Sequence, residues 1–281
     1  MGSNYDISDE WWAHCNAVTE RVLLSIFSTE ALEGRRVLDV GCGPANFTQL
    51  MCRLGCEVTG VDVSPGMIRV AASRLSSAGL AASLTLADAQ SLPFRPGTFD
   101  LVLCCGDVLD YIADVPRALN EISRVLKPGG LTLVVAGNRA TFGFLWYLFP
   151  RLIVWGPRYD VSLRDGLVYL FGGSDKGDER VVFPHGQSRG SIELVPLRAT
   201  TYLELRQRVT AAGLRPRMTY GIHILTEILP YIIATSRRAP QGVRRMTRAL
   251  STIDRLLADV PPFSAFGGHL LLVAEKVAPK A

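Results

Sequence analysis

The chain has 281 residues, of which 48% are hydrophobic and 20% are charged, and its formal net charge is +4 at pH 7. This composition excludes a disordered chain, and the absence of a linker rich in Pro, Gly or Ser predicts a single domain over residues 1–281. The mild positive charge permits an anionic ligand, but it lacks the strong excess expected of a nucleic-acid-binding protein.

The amino-terminal residues 1–34 predict a helical cap that precedes the sheet, because apolar positions recur at helical spacing from Asp9 to Phe27. His14 in this helix is either a core histidine or a side chain that faces a ligand. The chain start shows no charged-then-apolar leader, and the six cysteines show no disulfide-like spacing. We therefore expect a cytoplasmic protein with reduced thiols and no metal site.

A short apolar strand follows and ends in a glycine turn. The run from Val37 leads through Asp39 to Gly41 and Gly43, and a helix follows from Phe47. Glycines permit positive φ and let a ligand approach the backbone, and the amides at the start of the next helix favour a polar group. The loop predicts a site for a small polar ligand.

Each of the next two strands also ends in a carboxylate. Val58–Val61 is followed by Asp62, and Leu84–Ala87 is followed by Asp88. In a doubly wound fold the carboxyl ends of parallel strands lie at one edge of the sheet, where ligands bind. Three acids at that edge suit the donor groups of a nucleoside.

The strand Phe99–Cys105 is apolar almost throughout and is predicted to be central, with Asp107 and Tyr111 emerging beyond its end. The helix Val115–Leu126 then leads through a Lys-Pro-Gly-Gly turn to the strand Leu131–Ala136.

Residues 139–199 interrupt the alternation of strands and helices. They contain an aromatic, apolar stretch that is too short and too interrupted to span a bilayer. We interpret residues 139–199 as a substrate lid that contains His185. A strand ending at His223, a helical, arginine-rich segment over 224–257 and a final strand complete the chain. The predicted fold is α/β: a doubly wound, mostly parallel seven-stranded sheet with one antiparallel edge strand and a helical, aromatic lid insertion.

The motifs VLDVGCGPAN, VDVS, ADAQSLPF, FDLVLCCG and LKPGG together resemble those of class I S-adenosylmethionine (SAM)-dependent methyltransferases between Val37 and Gly130. A nicotinamide dehydrogenase fingerprint would need a third glycine where this chain has Asn46. The carboxyl-terminal part is loosely similar to the end of the bacterial tRNA wobble-uridine carboxyl methyltransferase.

The resemblance implies SAM as cofactor and a role for each matching residue. Asp39, Gly41 and Gly43 would hold the methionine end of SAM, and Asp62 would bind the ribose. Met67 would pack on adenine, and Asp88 with the Ala89 amide would contact its edge. Gly106 would border the sulfonium, and Cys42, Val63 and Cys105 would complete the cofactor site.

The acceptor is the open question. The aromatic insertion favours a small molecule, such as a specialised natural product, methylated on oxygen or nitrogen. A hydroxyl acceptor would need a base, for which His14, His185 and His223 are candidates, with Asp107 or Tyr111 positioning the acceptor. His269 opens a predicted strand and ranks below them. The alternatives are a tRNA nucleotide methyltransferase and a SAM-responsive binding module without enzymatic activity.

Overall fold

The computed structural model describes residues 10–26, 32–141, 181–188, 191–197, 199–228 and 241–277. No helix among these residues has the length and hydropathy needed to cross a lipid bilayer. The helices are α1 Glu10–Ile26, α2 Asn46–Arg53, α3 Pro65–Ser77, α4 Val108–Tyr111, α5 Val115–Val125, α6 Tyr202–Ala211 and α7 Gln241–Leu257, with short 3-10 turns at Thr226–Ile228 and Phe263–Ala265.

Seven strands form one sheet in the order β3-β2-β1-β4-β5-β9-β8. Strands β1 to β5 pair in parallel, and β9 is antiparallel to both of its neighbours, β5 and β8. The predicted fold class is confirmed, with the antiparallel strand lying one position in from the edge strand β8. The strands of this sheet are β1 Arg36–Val40, β2 Glu57–Asp62, β3 Ser83–Leu86, β4 Phe99–Cys104, β5 Leu126–Gly137, β8 Leu214–Ile222 and β9 His269–Lys276.

Both faces of the sheet are covered, as expected for a doubly wound fold. Leu38, Val102 and Leu272 pack into the core on one face. Their neighbours Val37 and Leu101 pack into the core on the other. Because successive side chains of a strand point to opposite faces, the nearly continuous apolar runs of the sequence follow directly from this arrangement.

Local capping explains where two of the helices begin. Ser64 caps α3, where its side-chain oxygen accepts a hydrogen bond from the Met67 amide at 3.3 Å. Thr201 and Glu204 form a capping box at the start of α6.

The strand predicted over Leu131–Ala136 begins earlier than expected, and the Lys-Pro-Gly-Gly turn lies within it, where Gly129 has the positive φ of a turn, 76°. Strand β5 already begins at Leu126, which pairs with Phe99, and the register between β4 and β5 shifts before Leu101 pairs with Leu131. The turn residues are therefore taken up in an irregular part of the ladder, as in a β-bulge.

Parts of the predicted insertions are also described. Strands β6 Val181–Ser188 and β7 Ser191–Leu197 form an antiparallel pair inside the predicted lid, and β7 lies against α4. Residues 142–180 of the lid and 229–240 of the helical segment lie outside the described residues. The division into cap, lid and helical segment stays a prediction.

Candidate functional site

A cavity of about 460 Å³ lies at the carboxyl edge of the parallel strands. It is bordered by the glycine loop after β1, by the ends of β2 and β3, and by the segment after β4. All eleven residues predicted to bind the cofactor line it: Asp39, Gly41, Cys42, Gly43, Asp62, Val63, Met67, Asp88, Ala89, Cys105 and Gly106.

Both glycines of the loop have a positive φ, and a side chain at Gly41 would not fit. Gly41 has a φ of 68°, and a Cβ placed there would lie 2.4 Å from a methyl carbon of Val108. Gly43 donates its amide hydrogen to Asp62 at 2.9 Å, which ties the loop to the end of β2. The loop therefore presents bare backbone to the cavity, as close approach of a ligand requires.

Two buried or half-buried carboxylates stand beside this loop. Asp39 is 2% exposed and accepts a 2.6 Å hydrogen bond from the Thr48 hydroxyl. Burial raises the pKa of Asp39 to about 6, although the Thr48 hydrogen bond opposes the shift. Asp62 accepts from the amides of Gly43 and Ser64 and also borders the cavity.

The third carboxylate lies at the outer end of the cavity. Asp88 is exposed and accepts hydrogen bonds from the amide and the side chain of Gln90. Gln90 in turn accepts from the Asp114 amide, which links the end of β3 to the start of α5. Gln90 is the fourth residue of the motif ADAQSLPF, but the sequence analysis gave it no role.

The hydrogen-bond acceptors and the apolar surface of the cavity fit SAM. Ionised carboxylates only accept hydrogen bonds, and the ribose, the amino group of adenine and the ammonium of the methionine end all offer donors. The half-buried Met67 and the apolar Phe47 and Ile112 supply surface for a flat base. Glycine is required at position 41 because a Cβ there would clash with Val108, which also lines the cavity.

Several cavity residues were missed by the sequence analysis. Asn16 reaches the cavity from α1, and Val108, Ile112 and Ala113 reach it from the segment after β4. The position of Asn16 depends on how α1 packs against the sheet, which no local motif encodes. The others follow Gly106 closely, so their nearness in sequence to a predicted site was the available signal.

The predicted acceptor residues fall into two places. Tyr111 lines the cavity. His14 and His223 lie with Asp107 in a cluster beside it, where the rings of His14 and His223 have centroids 4.8 Å apart. His185 belongs to β6, and its side chain lies outside the described residues.

His269, which the sequence analysis ranked below the other histidines, is the one that contacts Asp107. Its Nε2 lies 3.2 Å from Asp107 Oδ2, and its ring centroid lies 6.0 Å from that of His223. Because β9 runs antiparallel, its first residue lies at the edge where the parallel strands end. The place of His269 at the start of a predicted strand did not indicate this contact.

The cluster holds several titratable groups away from water. Burial opposes the protonation of His269, but the charge and hydrogen bond of Asp107, together with Glu227 and Asp110, raise the pKa of His269 to about 9. Burial and the neighbouring Asp107 raise the pKa of Asp110 well above its usual range. Burial also lowers the pKa of His14. At neutral pH, His269 is therefore an imidazolium beside a carboxylate.

Comparisons with known proteins agree with this geometry. The family described as a methyltransferase domain matches residues 38–134. A ubiquinone biosynthesis O-methyltransferase from Rhizobium leguminosarum bv. trifolii is 32% identical over 133 residues, which cover 47% of this chain and 52% of that protein. The chain thus spans about half the length of the curated relatives that it matches.

Solved structures share the fold over nearly the whole chain. The PH0226 protein from Pyrococcus horikoshii OT3 has a TM-score of 0.60 at 18% identity, covering 97% of this chain and 94% of that one. A SAM-dependent methyltransferase from Methanosarcina mazei has a TM-score of 0.57 at 19% identity, covering 91% and 97%. Such identities show the fold alone. Residues 38–134 thus match a methyltransferase domain, the chain shares the fold of SAM-dependent methyltransferases, and the match indicates S-adenosylmethionine as the cofactor.

Proposed function

We propose that the chain transfers a methyl group from SAM to a hydroxyl oxygen of a small-molecule acceptor. One observation carries this proposal: a single cavity of about 460 Å³ combines the glycine loop with three acids from the ends of consecutive strands. In this proposal Asp39 and the loop hold the methionine end, Asp62 binds the ribose, and Asp88 with Ala89 contacts the adenine.

Bound SAM would supply an electrophilic methyl carbon. Methyl transfer needs no nucleophile on the protein, so the main task of the residues around Gly106 is to hold the acceptor in line with that carbon. Fixing two reactants in this way is worth about 7–11 kcal/mol in favourable cases. The wall formed by Cys105, Gly106 and Val108 would also exclude water from the reacting atoms.

The choice of a hydroxyl rests on two supports. The curated relatives are named as O-methyltransferases. A buried carboxylate, Asp107, also lies one residue beyond Gly106. A neutral amine would need little acid–base help, whereas a hydroxyl benefits from a nearby base.

The class of acceptor follows from the sequence of the insertion. Residues 143–155 are rich in aromatic and apolar side chains, which favours a partly apolar molecule such as a specialised metabolite over a nucleotide. The name of the matched relatives refers to ubiquinone, another apolar product. We expect the acceptor to be a phenolic or alcoholic biosynthetic intermediate, and the cytoplasmic location stays a prediction.

A tRNA acceptor remains the second candidate because α7 carries Arg245, Arg248 and Arg255 at exposed positions. Such a run is more often a solvated helix face than a binding surface. Retention of the protein on immobilised tRNA distinguishes these two roles of the arginines.

The proposal is tested by incubating the protein with methyl-labelled SAM and a panel of phenols, catechols and alcohols, with matched amines in parallel. We expect label in at least one hydroxyl compound and none in its amine counterpart. Asp62→Ala should lose most of this transfer at low SAM concentration, and Asp100→Ala, at the opposite end of β4, should retain it. Label only in amines, or in no compound, would contradict the proposal.

A further inference from the structure

The contact between Asp107 and His269 joins the segment after β4 to the start of β9. Asp107 is 7% exposed and lies directly after Gly106, and His269 is the first residue of β9. Asp107 Oδ2 is 3.2 Å from His269 Nε2. The other carboxylate oxygen, Oδ1, is buried and has no hydrogen-bond partner among the described residues.

An unpaired oxygen on a buried carboxylate destabilises the folded protein. The desolvation of a buried polar atom without a partner typically costs about 1–3 kcal/mol. The backbone adds to the evidence. Asp107 has a φ of 61°, and it is one of only three non-glycine residues with positive φ in the described part of the chain. Strain of this kind concentrates at functional sites and invites a functional explanation.

The position of Asp107 suggests which group would satisfy that oxygen. Gly106 and Val108, on either side of Asp107, both line the cofactor cavity, whereas Asp107 itself belongs to the buried cluster behind them. Asp107 therefore stands at the boundary between the cofactor and the histidine cluster. We expect the acceptor hydroxyl to enter on the cluster side of Gly106, where it would meet this buried oxygen.

The groups around the pair decide its charge. His269 faces Asp107, Asp110, Glu227 and the ring of His223. With a pKa of about 9, His269 is protonated at neutral pH and balances the Asp107 carboxylate, while burial and Asp107 raise the pKa of the neighbouring Asp110. Cys15 also lies near Asp107, and burial raises its thiol pKa, so it adds no charge.

We propose, on the basis of the function proposed above, that Asp107 is the catalytic base for the acceptor hydroxyl and that His269 is its positioning residue. The acceptor O–H bond breaks while its oxygen forms a bond to the methyl carbon. The methyl–sulfur bond breaks at the same time, and the sulfur keeps that electron pair. The proton moves to Asp107 Oδ1 and is released to solvent after the product leaves.

This arrangement selects a hydroxyl acceptor over an amine. A carboxylate next to an alkylamine stabilises the ammonium form, which has no lone pair to attack the methyl group. The same carboxylate accepts a hydrogen bond from a neutral hydroxyl and assists its deprotonation in the transition state. His269 supplies the positive charge that balances this carboxylate inside a buried site.

The test compares Asp107→Asn and His269→Gln with Asp100→Asn, a carboxylate-to-amide change at the opposite end of β4. The wild type and each variant are first checked for SAM affinity by calorimetry and for folding by thermal melting. Methyl transfer to the best hydroxyl compound of the panel is then measured from pH 5 to pH 9.

We expect Asp107→Asn to lower kcat by about 10²-fold or more, the usual range for loss of a general base, with SAM affinity unchanged. His269→Gln should lower kcat less and should move the acidic limb of the pH profile to higher pH, because Asp107 then lacks its counter-charge. Asp100→Asn should match the wild type in both respects.

A readout without turnover uses NMR of ¹⁵N-labelled histidine. In the wild type, one imidazole should stay protonated up to about pH 9, and in Asp107→Asn the same ring should titrate nearer to 6.5. This measurement also covers the case in which His269→Gln fails to fold.

The outcomes separate the two proposals. If the wild type methylates a hydroxyl compound but Asp107→Asn is as active as Asp100→Asn, or the His269→Gln profile does not move, the base assignment is overturned and the proposed function stands. If the wild type binds SAM and transfers no methyl group to any hydroxyl, both are overturned.

Discussion

The cofactor half of this site, which is the cavity, and its proposed acceptor half, which is the cluster around Asp107 and His269, are built in different ways. The predicted residues of the cofactor half all lie between Asp39 and Gly106, at or near the carboxyl ends of the parallel strands. The acceptor half joins residues far apart in the chain: Asp107 and His269 are 162 positions apart. The first half is encoded by local motifs, and the second exists only once the sheet has closed.

The two halves also differ in their electrostatics. The cofactor half offers accepting carboxylates and bare backbone to a ligand, with Asp62 tying its loop in place. The acceptor half packs titratable groups together out of water, where His269 carries a positive charge among carboxyl groups. Changes in the first half should therefore affect binding, and changes in the second should affect pH dependence.

The largest effect is expected at Gly41. In Gly41→Ala the new Cβ would lie 2.4 Å from Val108, and the residue would also keep a φ of 68°. We expect SAM binding to fall below detection and the protein to lose about 1–3 kcal/mol of stability. Calorimetry and thermal melting measure both quantities.

Gly79→Ala is the matched control, because Gly79 has a φ of 66° but a Cβ added there would have no atom within 4 Å. It should lose stability through the same backbone strain and keep full SAM affinity. Equal SAM affinity in the two variants would refute the assignment of the glycine loop to the cofactor.

The next effect concerns stability against pH in the acceptor half. The pKa of His269 is raised from 6.5 to about 9, so its contribution is complete below pH 6.5 and is lost as pH rises through 9. A shift of this size corresponds to at most about 3 kcal/mol. Urea unfolding between pH 6 and pH 10 should show this loss in the wild type.

His269→Gln should remove the pH-dependent loss over that window while leaving any titration of Glu227, whose pKa burial raises to about 7, in place. The difference between the two stability curves isolates the histidine. Parallel curves above pH 7 would mean that His269 is not charged in the folded protein.

A smaller effect is expected for SAM affinity at low pH in the cofactor half. Burial raises the pKa of Asp39 to about 6, and the protonated acid cannot balance the ammonium of the methionine end. Affinity measured by calorimetry should fall by about tenfold from pH 7 to pH 5. In Asp39→Asn it should be weaker at pH 7 and nearly independent of pH, and a parallel decline would point to another group.

The smallest effect is expected on the arginine face of α7. Arg245→Glu with Arg248→Glu should leave methyl transfer to a small hydroxyl compound unchanged, because neither residue lines the cavity. Retention of the parent protein on immobilised tRNA at low salt, lost in this double variant, would instead favour the tRNA alternative.

The sequence predicted that the three strand-end acids lie around one cavity, for a physical reason. In a parallel sheet the carboxyl ends of the strands must meet at one edge, so Asp39, Asp62 and Asp88 could be placed together without knowing the packing. The caps of α3 and α6 are local too, since Ser64 and Thr201 act within three residues of themselves.

The acceptor half could not be predicted in the same way. The direction of β9 decides that His269 lies beside Asp107, and this direction depends on pairing with both β5 and β8. Asn16 reaches the cavity only through the packing of α1. The Lys-Pro-Gly-Gly residues joined β5 because of a register shift against β4, which is a property of two strands and not of one motif.

The most direct test of the central claim is titration of S-adenosylhomocysteine into the wild type, Asp62→Ala and Asp100→Ala by calorimetry at pH 7.5. Asp62 accepts a hydrogen bond from the Gly43 amide and borders the cavity. Its loss should therefore remove both the hydrogen-bond acceptor proposed for the ribose and the support of the loop. We predict micromolar binding to the wild type and to Asp100→Ala and binding weaker by at least about tenfold in Asp62→Ala. Equal affinity of all three proteins, or no binding to the wild type, would contradict the account.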